Sequence, residues 1–161
     1  MSYEWFWEGN ISAKIVSQLK EKGCIVNSVV DTESRDSGID IFANKNSCCI
    51  IVEVKGYPSK FYQRGDKKGH IKSTSPSTQA RHWYAEVLLT AILRKAKFPE
   101  AKIFIGLPNF TVYKRLIDRT KNIINSLGIN FFIVNESSSI EGLENVVKHP
   151  NKWLKTIAFS V

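Results

Sequence analysis

Ser37-Gly38-Ile39-Asp40-Ile41-Phe42-Ala43-Asn44-Lys45-Asn46-Ser47-Cys48-Cys49-Ile50-Ile51-Val52-Glu53-Val54-Lys55-Gly56 is the stretch that decides the fold. Two runs rich in Ile, Val and Phe flank a short polar turn, the pattern of a β-hairpin. With the pairing centred on Asn46-Ser47, Asp40 lies directly across from Glu53. Side chains alternate faces along a strand, so Glu53 and Lys55 share a face and Asp40 joins them there. Opposed Cβ atoms stand roughly 4.5–5.5 Å apart, close enough for both carboxylates to hold one divalent cation.

The second run is apolar on both faces before Glu53, which predicts a central strand rather than a solvated one. Two unpaired carboxylates buried there would be costly, and one would take up a proton. Mg²⁺ or Mn²⁺ resolves the conflict, because hard cations take oxygen ligands and Mg²⁺ needs only one or two carboxylates. A Glu-x-Lys triplet alone is common as a surface pair on an edge strand. The in-register Asp40 and the apolar flanks favour a site instead.

These residues resemble the PD-(D/E)XK phosphodiesterases, the restriction-endonuclease-like nucleases, with Gly38-Ile39-Asp40 standing for the first motif and Glu53-Val54-Lys55 for the second. Gly-Ile-Asp replaces the literal Pro-Asp. The resemblance spans about residues 10–134. It implies a metal held by Asp40 and Glu53 with the carbonyl of Val54, and catalysis by Asp40, Glu53 and Lys55. It also implies a helical Gln, here Gln79, that orients Lys55 or a phosphate, and products with 5′-phosphate and 3′-hydroxyl ends. Some relatives carry a metal-approaching Glu on the first helix. Counting back from the helix-ending Gly23 puts Ser12 at that position. Glu8 lies four residues earlier and shares its face if the helix extends that far. Gly9-Asn10 reads as a cap, so Glu8 is either a third metal ligand or a solvated charge, with Glu4 as a further candidate.

The remaining periodicities predict an α/β fold with a restriction-endonuclease-like core, a mixed sheet of about five strands flanked by helices on both faces. Ile11, Ile15, Val16 and Leu19 form the stripe of a first helix, and residues 24–30 read as a strand. Ser75-Pro76 opens a helix running to about Phe98, with Ala80, Trp83, Tyr84, Val87, Leu88, Ala91 and Ile92 as its apolar face. Residues 102–107 and 129–134 read as strands around a helix over 112–127, a right-handed parallel crossover. Residues 140–148 suggest a short helix. One domain over 1–161 is expected, its core about 10–134, with 135–161 as an extension packing on the core or on a second copy in a homodimer.

Composition narrows the class. With 161 residues, 43% apolar and 11% aromatic, the chain suits one folded domain. No apolar stretch is long enough for a transmembrane helix, and the aromatic, acidic start does not read as a secretory signal. Three cysteines make neither a disulfide framework nor a zinc spacing and read as reduced core residues of a cytoplasmic protein. The net charge of +8 is concentrated. Between Lys55 and Arg81 stand Lys60, Arg64, Lys67, Lys68 and Lys72 against one acid, Asp66. A cationic loop beside metal-holding carboxylates suits a phosphodiester polymer, and Tyr57, Phe61, Tyr62 and His70 add rings for unpaired bases. The nucleic-acid-binding set is therefore Lys60, Arg64, Lys67, Lys68, Lys72 and Arg81. The expected function is Mg²⁺-dependent hydrolysis of nucleic acid, DNA in the first place, in repair, recombination or restriction. The alternatives are a binding module of the same fold with a weakened site, and a subunit of a larger defence or repair assembly.

Overall fold

The structure, a computed structural model, describes residues 4–31, 38–63 and 65–147. Helix α1 (Glu8–Glu21) leads to the antiparallel strands β1 (Ile25–Val29), β2 (Ile41–Lys45) and β3 (Cys48–Val54). Helix α2 (Pro76–Lys97), strand β4 (Lys102–Pro108), helix α3 (Thr111–Ser126) and strand β5 (Ile129–Val134) follow. A two-residue strand β6 (Ile140–Glu141) and a 3₁₀ turn (Leu143–Val146) close the described chain. Among the described residues the sheet has six strands in sequence order, against the expected count of about five. The additional strand is β6, too short to leave a periodicity in the sequence. The helix expected over 140–148 is replaced by β6 and the 3₁₀ turn. Residues 148–161, including the tail assigned to a dimer contact, lie outside the described residues.

The hairpin forms in the expected register: Ile41 faces Val52, Phe42 faces Ile51 and Lys45 faces Cys48. Asn46 and Ser47 both take positive φ, 48° and 63°, the twist that a two-residue hairpin turn needs. Strands β3, β4 and β5 are parallel, so β3 lies inside the sheet with β2 on one side and β4 on the other. From Ile50 to Val54 it is buried throughout.

The alternation of β3 feeds two cores. Ile50, Val52 and Val54 pack with Ile11, Ile15 and Leu19 of α1 and with Phe104 and Phe132. Ile51 packs on the other face with Ala80, Tyr84, Val87 and Ala91 of α2 and Tyr113 and Ile117 of α3. Glu53 and Lys55 share the parity of Ile51 and so face α2. Gly106 allows the close approach of α1, because a Cβ there would stand 2.5 Å from Ile15 Cδ1. Of the cysteines only Cys24 is buried; Cys48 is half-buried and Cys49 exposed. The last two pair with Lys45 and Asn44 beside the hairpin turn, at the end of the sheet, so the expectation of three core thiols is corrected.

Helix α1 begins at Glu8, with Trp7 as its N-cap, so Gly9-Asn10 is not the cap. Gly9 fits inside the first turn because a Cβ there would meet the Trp7 ring at 2.1 Å. Helix α2 opens as expected, Ser75 Oγ accepting from Thr78 N–H at 3.2 Å. Of its predicted stripe, Ile92 is 39% exposed and lies off the core. Among the described residues no helix is long and apolar enough to cross a membrane.

Candidate active site

Strand β2 begins one residue after Asp40, and the carboxylate of Asp40 finishes the pairing: its Oδ2 accepts the N–H of Val54 at 2.7 Å. The carbonyl of Asp40 accepts Val30 N–H at 2.9 Å. The backbone on both sides therefore fixes Asp40 against the C-terminal end of β3. Glu53 is 4% exposed, and the carboxyls of Glu53 and Asp40 lie close enough to influence each other's ionisation. Burial raises the Glu53 carboxyl from 4.5 to about 7; hydrogen bonding to Arg94 opposes the rise and the charge of Asp40 adds to it. Burial likewise raises Asp40, against the Val54 N–H and the charges of Lys55 and Arg94.

Lys55 continues β3, its N–H donating to Gly106 O at 3.0 Å. Its ammonium stands 3.9 Å from Glu8 Oε2 and 3.6 Å from Glu86 Oε1. Glu8 thus belongs to the cluster. Because α1 starts one turn earlier than its sequence suggests, the acid on that helix comes from Glu8, while Ser12, one turn on, is buried without charge. Burial raises the Glu8 carboxyl too, opposed by Lys55 and by the Gly56 N–H. Gly56 is required by this approach: a Cβ there would meet Phe6 O at 2.6 Å and Glu8 N at 2.7 Å.

Two members of the cluster were not singled out in the sequence. Arg94 Nε donates to Glu53 Oε1 at 2.6 Å, and its Nη2 donates to Gly38 O. Glu86 supplies the second partner of Lys55. Both lie on α2, eight residues apart and so on neighbouring faces of the helix. The first-turn Gln79 sits farther along, where its Oε1 accepts from Lys72 Nζ at 3.4 Å. The α2 side chain that reaches Lys55 is Glu86.

The donors suit a hard divalent cation in kind: Asp40 and Glu53 offer carboxylate oxygens, and burial raises the pKa of both. The set is small. No group of three or more His, Cys, Asp or Glu side chains placed to hold one metal ion occurs among the described residues. A Mg²⁺ held here would complete its shell with main-chain carbonyls, water and substrate phosphate, as that ion commonly does. Arg94 would have to yield Glu53 Oε1 to it.

The described residues of the basic segment form an irregular hairpin. Phe61 and Ile71 bridge, Tyr62 N–H donates to His70 O at 2.9 Å and Lys72 N–H to Lys60 O at 3.0 Å. Lys60, Lys67, Lys68 and Arg81 are exposed and Lys72 is half-buried; Arg64 lies outside the described residues. Of the rings proposed for stacking, Tyr57 is taken up by Phe110, with centroids 3.9 Å apart and planes at 9°, so it is not free to receive a base.

No protein-family model matches the sequence, and comparison with curated proteins finds no match. Among solved structures, the chain is similar to the crystal structure of an XisH family protein from Nostoc punctiforme. The identity is 18%, the TM-score 0.49, and the alignment covers 81% of this chain and 94% of that one. A likeness at that level carries neither a site nor an activity across.

Proposed function

We propose that the protein is a divalent-metal-dependent nuclease with a restriction-endonuclease-like core, hydrolysing phosphodiester bonds of DNA. The observation that carries this reading is the meeting of Asp40, Glu53 and Lys55 at the C-terminal end of β3, with Glu8 arriving from α1. Asp40 and Glu53 are the residues that hold Mg²⁺ or Mn²⁺. When bound, the ion polarises a phosphoryl oxygen and lowers the pKa of a water. Lys55 stands at the mouth of the site between Glu8 and Glu86, where its ammonium positions the attacking water and offsets charge growing on the phosphate. The exposed lysines of the basic hairpin hold the DNA backbone beside it.

A second reading has its own support: the grip of Arg94 on Glu53 suits a nucleic-acid-binding module whose site no longer takes a metal. One assay separates the two. Labelled linear, circular, single-stranded and branched DNA is incubated with Mn²⁺ or Mg²⁺ and wild type or Lys55→Ala. The nuclease reading expects cleavage that falls by about 10²–10³ in the variant, the drop typical when one electrostatic partner of a transition state is removed. Equal rates in the two proteins refute the role of Lys55. DNA binding by wild type without cleavage in either metal refutes the nuclease and supports the module.

A further inference from the structure

We propose that the cleft between the basic hairpin and the start of α2 receives one unpaired nucleobase, so that the substrate is DNA with a single-stranded stretch. This inference rests on the nuclease reading and names its substrate class. The cleft measures about 590 Å³ and is lined by Tyr62, Lys72, Thr74, Gln79, His82 and Trp83. That is the size of a small-ligand pocket, where apolar walls and a few polar groups converge.

The chemistry of the lining fits a base better than it fits a paired duplex. Tyr62 and Trp83 bring rings from two different elements, and both are half-buried. Base stacking on such rings tolerates any sequence, because every base has a π-face. Gln79 offers an amide and His82 an imidazole, groups that hydrogen-bond the edge of an unpaired base, whereas in a duplex that edge is occupied by the partner strand. Lys72 adds an ammonium for the adjoining phosphate, and among the described residues no acid lines the cleft. The bonds that close the hairpin also place Tyr62 and Lys72 on its two legs.

The cleft is connected to the carboxylates by α2. Gln79, His82, Trp83 and Glu86 follow at spacings of three, four and seven residues, one continuous helix face. About 10 Å of helix axis separates Gln79 from Glu86, the partner of Lys55. At about 3.4 Å per stacked nucleotide, a base in the cleft lies about three nucleotides from the phosphate that Lys55 would face.

The test uses the full chain in EDTA, so that binding is read without cleavage. Fluorescence anisotropy measures a labelled single strand, its duplex, and a set of single strands with one abasic position moved along the sequence. We expect the single strand to bind more tightly than the duplex, and one abasic position to weaken binding by about tenfold. Trp83→Ala should weaken the single strand by a similar factor, spare the duplex, and no longer respond to the abasic position. Should Trp83→Ala fail to fold, the abasic series on wild type and the Gln79→Ala variant carry the same decision. Equal affinity for duplex and single strand, or an abasic series without a sensitive position, overturns the pocket. Cleavage with Mn²⁺ is scored separately. A flat abasic series with cleavage overturns the pocket and spares the nuclease. A sensitive position without cleavage supports the pocket and overturns the nuclease.

Discussion

Glu53→Gln in metal-free protein probes the central feature of the site. The native carboxyl titrates at about 7 instead of 4.5, so between those values the folded chain binds more protons than the unfolded one. Stability must then fall as pH rises through that window and level off above it. At 1.36 kcal/mol per pH unit, the full penalty is about 3 kcal/mol at about pH 8. Glutamine keeps the volume and still accepts from Arg94 Nε, and the benefit of Arg94 to the ionised carboxylate is already contained in the net shift. The variant should therefore be about 3 kcal/mol more stable than wild type at about pH 8. At about pH 4, below both values, the two should nearly coincide.

Urea unfolding in EDTA at the two pH values, followed by tryptophan fluorescence, reads this directly. With a slope of about 2 kcal/mol per molar urea, the midpoints should differ by about 1.5 M at the higher pH. Asp40 and Glu8, whose carboxyls are also raised, leave a smaller slope of the same sign in the variant. Parallel pH profiles for the two proteins would refute the account of a buried Glu53 carboxyl with a raised pKa. Adding Mn²⁺ at about a hundred times its dissociation constant should stabilise wild type by about 2.7 kcal/mol and leave Glu53→Gln unmoved.

Asp40→Asn should likewise abolish Mn²⁺ binding in calorimetry while the hairpin stays folded; an unchanged isotherm removes Asp40 from the ligand set. Replacing Lys67 and Lys68, both exposed on the basic hairpin, with Ala should weaken duplex DNA binding regardless of sequence. The logarithmic salt slope should shrink by about 0.9 for each phosphate that is no longer neutralised, and an unaltered slope places the DNA path elsewhere. Gly56→Ala should destabilise the fold by a few kcal/mol, as overpacking against backbone does, and should displace Glu8; thermal unfolding matching wild type would contradict the close approach of Phe6 and Glu8.

The hairpin was legible because its information is local. The alternation of Ile, Val and Phe and a two-residue polar turn set the register without help from the rest of the chain, and the register brought Asp40 to Glu53. The parallel half was legible for the same reason, since each helix and strand carries its own period. The start of α1 was not, because its determinant is tertiary. Gly9 and Asn10 favour a cap in isolation, while the ring of Trp7 packs over Gly9 and moves the cap back to residue 7. That displacement of one turn decides whether the helical acid is missing at Ser12 or present at Glu8.

Arg94 was beyond sequence reasoning for a related reason. It stands 41 residues from Glu53, on a helix whose apolar stripe alone was readable, and its reach depends on how α2 lies over the sheet. Yet it governs the electrostatics as much as any motif residue does. Glu8, Asp40 and Glu53 all have raised carboxyl pKa values, and burial is the first cause in each. Lys55 and Arg94 together therefore do not offset the cost of enclosing three acids. Sequences do not keep such a deficit for stability, because apolar residues of similar volume would pack there at less cost. On the proposed reading a divalent cation offsets that deficit, and Arg94, on Glu53 Oε1, stands where the cation would bind.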